Sequence, residues 1–212
     1  MEKLKNIAVL VSGGGTNLQA LIDAEKSGII KSGKIKLVLS NNPDAFALTR
    51  AKNANIETRV VRLSDFDCRK DFCIHLKNIM LENDISLIVL AGFMCILTDD
   101  FTSAFENRII NVHPSLIPSF CGDGFYGLKV HEAALSKGVK VSGATVHFVN
   151  EITDGGAIIM QKAVEVLEGD TAETLQKRIM QNAEHIILPR AVELFCSDKL
   201  TVKNNIVYIK ED

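Results

Sequence analysis

The sequence predicts an α/β fold of the Rossmann-like, doubly wound kind, with a mostly parallel sheet and antiparallel strands added in the C-terminal half. Three observations predict it. Short β-rich runs alternate with helix-periodic segments through the first half, a rhythm that right-handed crossovers convert into parallel pairing. The run Leu87-Ile-Val-Leu-Ala91 carries no polar alternation, as a central strand covered by helices on both faces requires. After residue 113 two β-rich runs follow each other across a turn, the pattern of an antiparallel pair that extends the sheet.

The first strand falls near 6–11. Its apolar run is too short to span a membrane and no cleavage-site pattern follows, so it is read as neither anchor nor signal. A glycine-rich turn leads into a helix near 16–27. Strands near 35–40, 57–62, 86–91 and 108–112 alternate with helices near 44–53, 66–82 and 98–106. A glycine-rich and aromatic loop at 119–127 precedes a helix near 128–137, and the strands at 141–149 and 157–166 are joined by a turn at 150–156. One long amphipathic helix is expected from Thr171 to about Cys196, with Asp170 and Thr171 as N-cap candidates. The tail 200–209 reads as a hairpin turning at Asn204-Asn205.

A chain of 212 residues suits a single domain, 1–212, and 47% hydrophobic with 24% charged residues is a globular composition. The net charge of −2, with Lys and Arg scattered among acids, lacks the basic stripe of a nucleic-acid binder, so small molecules are the expected partners, with no nucleic acid and no membrane. The 5 cysteines (68, 73, 95, 121 and 196) form no Cys-x-x-Cys pair, which argues for reduced thiols and a cytoplasmic location.

The stretch Arg108-Ile-Ile-Asn111-Val-His113-Pro114-Ser115-Leu-Ile-Pro118 ends a buried apolar run in an amide, an imidazole and a rigid proline turn. In an open α/β sheet ligands collect outside the carboxyl ends of strands, and positions 111 and 113 of an extended chain face the same side. Asn111 and His113 can therefore act on one atom. A polar cap that satisfies loop carbonyls is the competing reading for a lone histidine.

The first turn, Ser12-Gly13-Gly14-Gly15-Thr16-Asn17-Leu18-Gln19, lets backbone N–H groups approach an oxyanion at a helix N-terminus. It is not a dinucleotide fingerprint, because Leu18 stands where a third glycine belongs and Asn41-Asn42 where an acid would hold a ribose. No Gly-Lys-Ser/Thr follows, so it is not a Walker loop. It is read as a phosphate monoester pocket, in which Gly15 is expected to be glycine so that the phosphate can approach the backbone. Asn150-Glu151-Ile-Thr-Asp154-Gly155-Gly156 is ordinary turn chemistry by itself. If the strand at 141–149 lies beside the one ending at 112, however, Asp154 could reach His113 and favour its charged form, raising its pKa above about 6.5.

Other signals carry less. His131-Glu132 opens like a zincin helix but lacks the second histidine, so His131 is read as a helix-surface residue and no metal site is indicated. His75 and His185 sit in helical periodicity as packed or solvated residues, and the alternation around His147 leaves its direction open. Cys121-Gly-Asp123-Gly124 lacks the alternating oxygen ligands of a calcium loop.

Four motifs in order, Ser12 to Gln19, Val89-Leu-Ala-Gly92-Phe93-Met94-Cys95-Ile96-Leu97, Asn111 to Pro118, and His147-Phe-Val149-Asn150-Glu-Ile-Thr-Asp154-Gly155-Gly156, resemble those of the folate-dependent formyltransferases. The glycine-rich start narrows the resemblance to the phosphoribosylglycinamide formyltransferase (glycinamide ribonucleotide transformylase) family of purine synthesis. The resemblance covers nearly the whole chain. It implies formyl transfer from the cosubstrate 10-formyltetrahydrofolate to the amine of glycinamide ribonucleotide, without a metal, with Asn111, His113 and Asp154 catalytic. It also implies substrate contacts at Gly15, Thr16, Asn17, Pro114, Gln181 and Glu184. Folate contacts are implied at Arg69, Met94, Cys95, Ile96, Leu97, Val149 and Asn150. The domain then divides into a phosphate-binding half, 1–112, and a folate and catalytic half, 113–212.

Two departures stand out: position 95, commonly Arg in that family, is Cys, and the 119–127 loop is longer than in many relatives. Cys95 is expected to be a structural thiol, since direct amine attack needs no covalent enzyme intermediate. The alternatives are a 10-formyltetrahydrofolate deformylase, for which the phosphate loop would have no purpose, and a non-catalytic phosphoribosyl-ligand module. A methionyl-tRNA formyltransferase would carry a sizeable C-terminal RNA-binding domain, and only a short tail follows the last expected helix.

Overall fold

Strand β1 (Lys5–Val11) is apolar on both faces, sending Ile7, Val9 and Val11 into one buried layer and Ala8 and Leu10 into another. That two-sided burial is the organising feature of the computed structural model, which describes residues 3–210; the outermost residues of the expected 1–212 domain lie outside them. Beside β1 run β2 (Gly33–Ser40) and β3 (Glu57–Val60) on one side and β4 (Ile85–Leu90) and β5 (Ile109–His113) on the other, all parallel. The antiparallel strands β6 (Val141–Phe148) and β7 (Ile158–Glu165) complete a seven-stranded sheet in the order β3-β2-β1-β4-β5-β6-β7. The expected fold class is the observed one.

Helices cover both faces. From α1 (Thr16–Ser27) and α2 (Phe46–Asn53), Leu18, Leu21, Ala47 and Leu48 join the larger layer, as do residues of α5 (Leu128–Ser136), α6 (Ala172–Ile179) and α7 (His185–Cys196). The opposite layer is filled from α3 (Arg69–Glu82) and α4 (Asp99–Ala104) by Phe72, Leu76 and Phe101. Winding reverses between β1 and β4, which opens the crevice at their carboxyl ends. A two-stranded hairpin of β8 (Leu200–Lys203) and β9 (Ile206–Ile209) stands outside the sheet and turns at Asn204-Asn205, both with positive φ.

Two helices differ from expectation. Helix α3 starts at Arg69 rather than near 66, because a 3₁₀ turn at Leu63–Asp65 intervenes and Phe66 turns in against Phe72, 5.7 Å between ring centres. The long helix expected from Thr171 to Cys196 is broken by a π turn, Met180–Glu184, between α6 and α7. Pro189 lies within α7 and lacks the N–H that would bond the carbonyl of His185, the residue that follows the π turn. Of the two N-cap candidates, Thr171 caps α6. Its side chain accepts from the Thr174 N–H while the Thr174 hydroxyl accepts from the Thr171 N–H, and Asp170 instead forms a two-pronged pair with Arg178.

Thr171→Ala is expected to lower unfolding free energy by about 1 kcal/mol through loss of this cap, with an unchanged denaturant slope. Urea unfolding of the two proteins measures it; a difference near zero would mean that the Asp170–Arg178 pair alone fixes the start of α6.

Candidate active site

Strand β5 delivers its polar end as the alternation requires. Asn111 lies across from His147 and His113 across from Thr145 on the neighbouring β6. Asn111 Nδ2 is 3.2 Å from His147 Nε2, and His147 Nδ1 faces the Phe148 carbonyl at 2.8 Å, so Nδ1 carries a hydrogen and Nε2 can accept from the amide. Asn111 keeps its second N–H for the crevice. The direction of His147, left open by the sequence, is thereby fixed at the centre of the site.

Asp154 completes the group. Its Oδ2 lies 3.5 Å from His113 Nδ1 and its Oδ1 3.5 Å from His147 Nε2. The route differs from the simple one, because β6 is antiparallel to β5 and leaves Val149 beside Ile109, at the wrong end of the strand. The loop doubles back, which requires Asp154 at φ 55° and a glycine at 156, where a Cβ would sit 1.9 Å from the Phe148 carbonyl oxygen.

The 119–127 segment closes over this pair. His113 Nε2 donates to the Phe120 carbonyl at 2.9 Å and the Gly122 N–H to Asp154 Oδ2 at 2.9 Å. A carbonyl only accepts, so Nε2 carries a hydrogen, and the ion pair with Asp154 forms only when Nδ1 is protonated as well. Phe120 itself has φ 51°, unusual for an aromatic residue. The Ile117–Pro118 peptide is cis.

The charge state of His113 corrects an expectation. With the residue only 5% exposed, burial lowers its pKa below the ordinary value; Asp154 and the Phe120 carbonyl offset only part of this, and His147 adds to the lowering. His113 is therefore neutral near pH 7 in the free protein, not held as imidazolium. For Asp154, burial acts upward but is outweighed by His147, His113 and the Gly122 N–H, so the carboxyl titrates below its usual range.

The glycine-rich turn holds together differently from expectation. A Cβ on Gly15 would meet the Ala47 Cβ at 2.5 Å, and its φ is 72°, so packing against α2 and a left-handed backbone account for this glycine. Gly13 and Gly14 face open space. Asn17 Nδ2 is committed to Glu184 Oε2 at 2.6 Å, while its Oδ1 is buried without a partner among the described residues. The π turn swings Glu184 into this bond; burial raises its pKa and the Asn17 bond only partly offsets that. Gln181, on the same turn, is exposed. The first turn of α1 has no side-chain cap among the described residues, leaving its N–H groups to an outside acceptor. Arg50 was missed. It donates from Nε to the Gly14 carbonyl at 2.8 Å and from Nη1 to Gln19 at 3.2 Å, bringing a cation to the turn.

Residues 92–97 lie beyond β4. Met94 N–H donates to Ser12 Oγ at 2.8 Å, tying this loop to the glycine-rich turn. Met94 and Ile96 expose apolar side chains, Leu97 packs inward, and Arg69 is exposed at the start of α3. Cys95 accepts from Asn41 Nδ2 at 3.0 Å, and burial raises its thiol pKa despite Asn41 and Arg69, so it is a neutral thiol at pH 7. Pro114 is half-buried behind His113, Val149 N–H donates to Ile109 O, and Asn150 Oδ1 accepts from Ile152 N–H. His131 is not on the surface as expected: it is wholly buried with neither ring nitrogen bonded among the described residues. Burial, with His113 nearby, lowers its pKa to about 4. Two cavities, about 370 Å³ at the amino ends of β1 and β4 and about 400 Å³ behind the 149–157 loop, lie apart from His113, whose own crevice the 119–127 segment covers.

A doubly wound sheet with an Asn-His-Asp group at its carboxyl edge defines a class. The family model described as formyl transferase matches residues 5–192, and the chain belongs to that family. It is 40% identical over 206 residues to phosphoribosylglycinamide formyltransferase of Haemophilus influenzae, covering 97% of this chain and 94% of that one. Against the crystal structure of glycinamide ribonucleotide transformylase 1 from Symbiobacterium toebii the TM-score is 0.92 at 40% identity, over 98% and 95% of the two chains. It is also 41% identical over 213 residues to the Homo sapiens trifunctional purine biosynthetic protein adenosine-3, of which it spans 20%; in the Chironomus tentans counterpart it spans 14%.

The buried His131 makes stability pH-dependent. Its folded pKa is depressed to about 4, so the stabilisation is complete above the unfolded value of about 6.5 and is lost as pH falls between the two. Between pH 7 and pH 5 the protein should lose about 2 kcal/mol more than His131→Gln does. Equal losses in urea titrations at the two pH values would place a bonded, solvated histidine there.

Proposed function

We propose that this protein transfers the formyl group of 10-formyltetrahydrofolate to the amine of glycinamide ribonucleotide in purine synthesis, acting in the cytoplasm. The observation that supports the reading is that the glycine-rich turn at the uncapped start of α1, after β1, and the Asn111, His113 and Asp154 group lie at the carboxyl ends of the parallel strands. A phosphoribosyl substrate laid across these ends puts phosphate at residues 13–17, with Arg50 adding charge, and its amine at His113. Gln181 and Glu184 flank the ribose. The pterin fits the loop of Met94, Cys95, Ile96 and Leu97, with Arg69, Val149 and Asn150 at its margins and the exposed Ile152 offering apolar surface.

The chemistry follows from these groups. The amine nitrogen attacks the formyl carbon, forming a C–N bond and placing negative charge on the formyl oxygen. The free N–H of Asn111 and the Nε2–H of His113 donate to that oxygen once the Phe120 carbonyl has given way. The developing charge, with Asp154 beside Nδ1, lets His113 hold there, as a cation only at this stage, the proton lost by the attacking amine. Collapse breaks the bond to N10, and the proton lost by the amine returns to N10 through a water that Asp154 orients.

A deformylase reading has one observation in its favour. The chain is 25% identical to a formyltetrahydrofolate deformylase from Pseudomonas syringae, with a TM-score of 0.87 over 99% of this chain and 67% of that one. Mixing the protein with 10-formyltetrahydrofolate, with and without glycinamide ribonucleotide, separates the two. Formyl loss that depends on the amine, with formylated ribonucleotide as product, is expected; loss at equal rate without it would make the protein a deformylase, and no loss in either case an inert binder.

Asp154→Asn removes the influence that raises the His113 pKa, so that pKa should fall further below about 6.5 and turnover should drop steeply while both substrates still bind. In the unaltered enzyme, activity should disappear as pH falls through the depressed Asp154 pKa. An NMR titration of His113 alongside kcat tests this, and wild-type turnover in the variant would reduce Asp154 to a turn residue. Cys95→Ser should remain active; complete loss of turnover in a folded variant, or a trapped formyl thioester, would demand a covalent mechanism.

A further inference from the structure

We infer that Asn205, at the tip of the β8–β9 hairpin and outside the family-matched residues 5–192, is a positioning residue for Asp154. The inference rests on the catalytic role given to Asp154 above. Its Nδ2 donates to the Gly155 carbonyl, one residue beyond Asp154, at 3.3 Å.

The turn 151–155 needs such support. Ile152 at its tip is 60% exposed, Asp154 is left-handed, and a cavity of about 400 Å³ lies behind the loop, so packing holds it weakly from that side. The remaining bonds of the turn divide into two kinds. Ile152 to Asn150 and Gly155 to Ile152 are internal. Thr153 to Asp123 and Gly122 to Asp154 come from the 119–127 segment, which must withdraw its Phe120 carbonyl from His113 before a substrate can be engaged. Apart from the contacts of the Asp154 carboxylate with His113 and His147, the Asn205 bond is the tie from elsewhere in the described residues that survives this withdrawal.

The hairpin is built to hold it. Leu200, Val202 and Val207 pack on the larger core layer and β9 lies against β7, so the arm is docked from its base to the pair next to last before the turn. Asn204 and Asn205 have φ of 51° and 59°, the two left-handed residues of a type I′ turn, which fixes the direction in which Asn205 projects.

Asn205→Gly separates positioning from hairpin stability, because Asn-Gly is a favoured pair for this turn and only the amide is lost. At saturating concentrations of both substrates kcat should fall about fivefold, with KM for each changed less than about twofold. The His113 pKa, followed by NMR without substrate, should fall as its carboxylate neighbour drifts. Asn204→Gly, which alters the same turn but not the bond, should match the wild type in both readouts. Unchanged kcat and His113 pKa in Asn205→Gly, a loss confined to KM, or an equal loss in Asn204→Gly would overturn the inference. A wild-type protein without transferase activity would overturn the proposed function instead, while the His113 titration would still decide the role of Asn205.

Discussion

An ionised carboxylate kept out of bulk water is the constraint around which this molecule is arranged. Asp154 is only slightly exposed, and a buried charge without partners is too costly to persist. The Gly122 N–H donates to it directly, and two imidazoles stand 3.5 Å away, able to donate when the nitrogens that face it are protonated; each comes from a different part of the chain, His113 from β5, His147 from β6 and Gly122 from the covering segment. The sheet order, the doubling back of the 149–157 loop and the closure of 119–127 are all needed to bring these three to one point.

That arrangement explains why His113 is neutral before catalysis. Its two nitrogens face a carbonyl and a carboxylate, a setting that welcomes a second proton electrostatically, yet the cost of desolvating the cation is larger. A ring balanced in this way responds strongly to one added negative charge. In the proposed transfer the resting site stabilises the cation little and keeps that response for the moment when the formyl oxygen becomes negative.

Much of this was legible in the sequence, and the failures have identifiable causes. Strands buried on both faces, such as β1 and β4, announce themselves by unbroken apolar runs, and Asn111 and His113 by their position at the end of one. Periodicity conveys burial poorly for single polar residues. His131 was read as a helix-surface residue once the missing second histidine had excluded a metal, a test that says nothing of packing, and the sign of the His113 shift was misjudged because a sequence shows the charged partner but not the missing water. The π turn left the hydrophobic pattern of Thr171 to Cys196 almost undisturbed, with Pro189 as the available warning. The need for glycine at position 15 was traced to phosphate approach alone, because the approach of Ala47 from α2 is a tertiary contact. His147 and Arg50 became site residues only through cross-strand pairing and a helix crossing, neither of which local spacing encodes.

The proposed reacting groups also straddle a seam. Asn111 and His113 close the parallel half of the sheet, built by successive crossovers, whereas His147 and Asp154 belong to strands that join it antiparallel from farther along the chain. Helices form through local contacts, whereas the sheet needs distant segments to meet, both within the parallel half, where Asn6 pairs with Ile85, and at the seam, where Ile110 pairs with Phe148. Recovered helical signal in a refolding chain therefore does not certify a recovered enzyme, because the carboxylate and its two imidazoles meet only once the seam is in register.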